Sequence, residues 1–212
     1  MKKPQSAFRP ALIALTFLLQ ACPAPVFKSN TLPPSFVLAQ PASIFASGEY
    51  VHKPSGFAFP ATVDIFQRVE LTRYDSAGLD VSAGYNSAST GCPIRLTIYV
   101  SPAPRVSYLG ADPALVKAME ARWLDSAYQQ WKRAIADSHV RAKLIGEAES
   151  AQDGVPGKKA VYAVDGEQSE VSVHVAEHAW LLTYRISFPS ACEAIAHGNL
   201  DVFFSRWHGA SS

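Results

Sequence analysis

Several chemistries are missing from this sequence. No Gly-x-Ser-x-Gly occurs, so no strand-to-helix elbow of the hydrolase kind exposes a serine. No glycine loop of the phosphate-cradling type is present, and no Cys-x-x-Cys. Charge of one sign is also lacking: 19 Lys and Arg stand against 18 Asp and Glu. That balance offers no field for nucleic acid and no polybasic membrane patch. Cysteine is scarce, with three in the chain. His52, His139, His197 and His208 are isolated in sequence, which favours surface or core roles over catalysis.

The most specific stretch is the first 22 residues. Lys2, Lys3 and Arg9 form a basic head with no acidic residue, followed by the nine-residue apolar run Ala11–Leu19. A span needs roughly 20 apolar residues, so this run has signal-peptide length instead. It ends in Leu19-Gln20-Ala21-Cys22. An ordinary cut after Ala21 would put bulky Leu19 in a pocket for small residues. A cut after Ala24 would leave Pro25 beyond the scissile bond.

Leu-x-Ala-Cys after a short apolar core resembles the lipobox of bacterial lipoproteins. The resemblance covers the leader alone. It implies that Cys22 carries a diacylglyceryl group, that the leader is cut before it, and that the new amine is acylated. Stable anchoring needs at least two lipid signals, and two or three chains on one residue meet that condition. Pro23, rather than aspartate, then implies the outer membrane, with the protein facing the periplasm. Without residues 1–21 the chain keeps 16 basic residues against 18 acidic ones, a charge of about −2.

If Cys22 is lipidated, Cys92 and Cys192 remain, and the count closes on one disulfide in an oxidising compartment. Such a bridge would close a loop of about 100 residues, worth up to about 4.7 kcal/mol. Two buried free thiols are the alternative. Residues 22–42 are rich in proline and read as a tether, reaching about 60 Å if extended at about 3.1 Å per residue. Ser35–Leu38 could instead pack on the domain. Residues 43–212 read as one domain, large enough to fold without a metal.

Within it the expected class is α+β, an antiparallel sheet covered by one long and one short C-terminal helix. Short strands are expected at Glu49–Lys53 and Phe57–Phe59. Asp64–Tyr74 alternates, with Ile65, Val69 and Leu71 apolar. Leu79–Tyr85 alternates again. Ile94, Leu96, Ile98 and Val100 mark one buried strand face. Asp112-Pro113 starts a helix, with Val116, Met119, Trp123, Ala127, Trp131 and Ala134 on one stripe. Residues 140–150 fit either a strand or more helix. Asp153–Gly157 reads as a loop, Lys159–Val164 as a strand, and Asp165-Gly166 as a hairpin turn. Trp180, Leu182, Tyr184, Ile186 and Phe188 share an inner face. Ser190-Ala191-Cys192-Glu193 matches a capping box before a last helix running to about Trp207. This order of elements resembles the PsbP-like fold, which implies a binding or assembly role rather than catalysis.

One catalytic spacing occurs. His174-Val175-Ala176-Glu177-His178 matches H-x-x-E-H, the inverted zinc-protease string. That chemistry needs both histidines one helical turn apart. The preceding residues alternate as a strand, and Glu177-His178 falls where a hairpin should turn, so the string reads as a solvated turn. A zinc-dependent hydrolase is the alternative function. The expectation is a non-enzymatic envelope lipoprotein that binds a ligand or protein, without cofactor or metal. Its partners would be the membrane and an envelope protein.

Overall fold

The computed structural model describes residues 37–89, 91–103, 112–152, 154–176 and 180–207. Cys22 and residues 22–36 of the expected tether lie outside them. The strands are β1 (Val37–Ser43), β2 (Tyr50–Val51), β3 (Ala58–Phe59), β4 (Thr62–Val63), β5 (Phe66–Asp75), β6 (Val81–Ser87) and β7 (Arg95–Pro102). Helix α1 (Pro113–Ser138) follows, then β8 (Lys143–Gln152), β9 (Val155–Val164), β10 (Glu167–Ala176) and β11 (Trp180–Pro189). A 3-10 turn (Ser190–Cys192) leads into helix α2 (Glu193–Arg206). One antiparallel sheet runs in the order β1-β5-β6-β7-β11-β10-β9-β8, with β4 paired to β5, and β2 and β3 form a separate hairpin. The α+β expectation is met. Strand β1 takes residues 37–43 into the sheet, so the last part of the expected tether is paired chain.

Hairpins build the sheet, and its two halves meet where β7 pairs with β11. The β9–β10 hairpin turns at Asp165 (φ 51°) and Gly166 (φ 86°). Two successive positive φ values are what a two-residue turn needs to match strand twist. Residues 143–152 form a strand, because helix α1 stops at Ser138 and β8 finds a full ladder on β9. The expected loop at 153–157 is shorter than the sequence suggested. Val155, Pro156 and Gly157 belong to β9. The β10 ladder ends at Gly157, so on that side no strand faces the missing N–H of Pro156.

Other expectations needed correction. Val69 is 59% exposed, because a bulge between Arg68 and Glu70 shifts the register and turns it outward. The α1 stripe is rotated: Tyr128 and Ile135 are buried, with Leu124, Ala127 and Trp131 packed beside them, and Ala134 is exposed. Rotation buries two large side chains in place of small ones, which favours it by area. The helix start is as expected, with the Asp112 carboxylate accepting from Ala114 N at 2.9 Å. The capping box is not made. Cys192 occupies the cap of α2 without a side-chain bond, because the 3-10 turn draws Ser190 away from it.

The two sheet faces have different cores. On one face β5, β6, β7 and β11 point Phe66, Tyr85, Ile98, Trp180 and Phe188 at α2, whose Leu200 and Phe203 are buried, with Trp207 just beyond. Ile94, Leu96, Ile98 and Val100 are all buried there, as their alternation implied. On the other face α1 covers Ala160, Tyr162, Val171 and Val173 of β9 and β10.

Candidate functional site

The site lies on the α1 face, where the helix ends and the sheet continues uncovered by it. Antiparallel pairing puts opposed residues on one side of a sheet. One cross-strand row is therefore Thr97, Arg185, Val171 and Ala160 across β7, β11, β10 and β9. The next row is Arg95, Ser187, Ser169 and Tyr162. Glu167 and Val164 follow at the hairpin end. The rows change from apolar under α1 to polar beyond it. The polar part lines a pocket of about 280 Å³, with His139, the C-cap residue of α1, among its walls.

Its polar groups are unevenly satisfied. Arg95 forms an ion pair with Glu167 at 2.6 Å. Arg185 Nη2 donates to His139 Nε2 at 3.1 Å, which requires a lone pair on that nitrogen and so a neutral ring. Arg185 also hydrogen-bonds Tyr99; burial pushes that phenol up, and the guanidinium offsets part of the rise. Among the described residues Arg185 has no carboxylate partner. Ser169 is 5% exposed, and its Oγ has no hydrogen-bond partner among the described residues. A buried hydroxyl without a partner costs about 1–3 kcal/mol.

A second polar cluster sits under α2. Glu170 is 3% exposed and takes Lys159 Nζ at 2.6 Å, His197 Nε2 at 2.8 Å and Gln168 Nε2 at 2.8 Å. Burial opposes its charge, but the bonds from Lys159, His197 and Gln168 outweigh burial and hold the carboxyl below its usual range. These groups satisfy one another and leave little for a ligand.

The residues singled out in the sequence scatter. His174 is buried in β10, not in a solvated turn, and its Nδ1 donates to the Val155 carbonyl at 3.1 Å. Gly157 makes room for its ring, since a Cβ there would come within 2.3 Å of Nδ1. Glu177 and His178 lie outside the described residues, and among those described no cluster of three metal-type ligands occurs. Cys92 and Cys192 do come together as buried thiols. Cys92 Sγ donates to the Cys192 carbonyl at 3.9 Å and Cys192 Sγ to the Gly91 carbonyl at 3.8 Å. Burial, then the neighbouring thiol, pushes Cys92 up to about 11. His52 is buried between Ser55 Oγ (2.6 Å) and the Gly78 carbonyl (2.8 Å), and His208 lies outside the described residues. Sequence reasoning passed over Arg95, Arg185 and Ser169. The signal was present as arginine among the outward residues of two alternating strands.

No family model matches the chain, and no curated protein matches it. Among solved structures it is similar to cyanobacterial PsbP from Synechocystis, in a solution structure, at 17% identity and a TM-score of 0.45. The match covers 80% of this chain and 98% of that one. It says nothing of what this chain binds. No helix among the described residues is long and apolar enough to cross a membrane.

Proposed function

We propose that the chain is a lipid-anchored domain of the bacterial cell envelope, held through Cys22 at the periplasmic side of the outer membrane. Its folded body binds a ligand or an envelope protein and performs no catalysis of its own. The lipobox-like leader supports the anchor. The observation that carries binding is Arg185, fixed by His139 without a carboxylate partner among the described residues, beside the unpartnered hydroxyl of Ser169. Groups fixed in advance and left unsatisfied are what a binding site offers an incoming molecule.

Cys22→Ser should move the protein from the membrane to the soluble fraction, and retained membrane association would contradict the anchor. Native mass spectrometry of the full chain taken from envelopes should show a bound species whose occupancy falls in Arg185→Gln. Equal recovery by both proteins would count against this pocket as the binding site. The reading also joins Cys92 to Cys192 in the oxidising compartment. No thiol should titrate in chain unfolded without reductant, and two titratable thiols would remove the bridge.

A further inference from the structure

We infer that the pocket beside the end of α1 binds the carboxylate of a small organic monoacid, with Arg185 and the Ser169 hydroxyl as its anchors. This rests on reading the pocket as the binding site and names the chemistry of what enters it. The donors come first. A guanidinium carries more N–H groups than the contacts with His139 and Tyr99 use, and its planar fork matches a carboxylate. Ser169 lines the same space and is nine-tenths buried, and its Oγ has no partner among the described residues, so a ligand oxygen that reaches the hydroxyl gains a bond that the empty protein lacks. Thr97 and Ser187 add hydroxyls in the same two rows.

Charge then narrows the class. Arg95 and Arg185 stand against Glu167, and His139 is neutral while it accepts from Arg185, so the pocket carries one positive charge in excess. That matches a monoanion. A dianion such as phosphate would place its second charge near Glu167. Size narrows it further: about 280 Å³ falls just under the range of roughly 300–1,000 Å³ for drug-sized ligands. Val164 supplies an apolar wall for a short carbon chain.

The test is calorimetric titration of the full chain in detergent with propionate, propionamide and inorganic phosphate. Propionate should bind saturably, with propionamide at least tenfold weaker. Arg185→Gln should weaken propionate at least tenfold. Ser169→Ala should weaken it about fivefold or more. The same serine variant should melt at the same temperature as the parent or higher when empty, because it removes an unpartnered buried hydroxyl. That pairing of lower affinity with undiminished stability separates a ligand contact from damage to the fold. Equal binding of propionamide would show that charge is not read and would overturn the inference. Tighter binding of phosphate would overturn the monoacid while leaving the pocket as a binding site. A lower melting temperature for Ser169→Ala would show a partnered hydroxyl and remove one anchor. Absence of propionate binding, with the envelope-derived species still lost in Arg185→Gln, would sink the inference alone.

Discussion

The two faces of the sheet are built from the same strands and handle polar groups in opposite ways. Under α2 the core is aromatic and closed, with Phe66, Tyr85 and Phe203 in edge-on contact and Trp207 donating its indole N–H to the Ala58 carbonyl at 2.8 Å. Its buried acid Glu170 is ringed by donors, and buried Asp75 accepts from Leu79 N at 2.8 Å. Under and beside α1 the apolar cluster is small, and the neighbouring sheet surface carries Arg185, Ser169, Tyr99 and Asp80. One face stabilises the domain. The other has polar groups that folding alone does not satisfy, and those are the groups available to function.

The largest expected effect separates the two cores. Trp207→Ala should lower unfolding free energy by about 4 kcal/mol, since it empties a fully enclosed site and strands the Ala58 carbonyl. Ile135→Ala on the α1 side should cost about 2 kcal/mol, because it removes a smaller side chain from a smaller apolar cluster. Urea denaturation of both variants decides it. Equal losses would break the contrast between a stabilising face and an open one.

Next is Glu170→Gln, expected to cost about 3 kcal/mol at pH 7 by leaving Lys159 and His197 without their shared anion. The folded carboxyl lies below its unfolded value, so the contribution is present above the ordinary carboxylate range. It is lost as pH falls through the folded value. Stability measured from pH 7 down to about 3 should therefore fall in the parent and change less in the variant below about pH 4. Parallel curves would show that the donors do not act on this carboxylate.

Much of this architecture was legible because it is local. The period-2 run Ile94–Val100, the Asp112 cap and the Asp165-Gly166 turn each specify their element from neighbouring residues. What was not legible depends on pairing. The outward residues Arg95 and Thr97 of β7 could be read as a polar stripe. Nothing in the sequence says that β7 lies beside β11 and brings Arg185 opposite Thr97. The same holds for His139, isolated in sequence and placed over Arg185 by the helix end. Bulges are equally silent: Val69 keeps its apolar spacing and still turns outward. The rotation of α1 was settled by a sheet surface whose shape the helix sequence does not contain.

The smallest expected effect concerns Asp80, just before β6 on the open face, near Tyr74 and Tyr99. Burial first, and then the charge of Asp75, raise its carboxyl to about 6. A raised acid is favourable when protonated. Its contribution is fully present below the unfolded value near 3.9 and is lost as pH rises through about 6. At pH 8 the folded protein thus holds a poorly solvated charge, and Asp80→Asn should stabilise it by about 1 kcal/mol, a figure reduced for solvent screening at a partly exposed group. Between about pH 4 and 6 the variant should also lose a pH dependence that the parent keeps, in a window that barely overlaps that of Glu170. Destabilisation by Asp80→Asn at pH 8 would show a satisfied carboxylate there. The two faces would then differ in what covers them and not in how they treat charge.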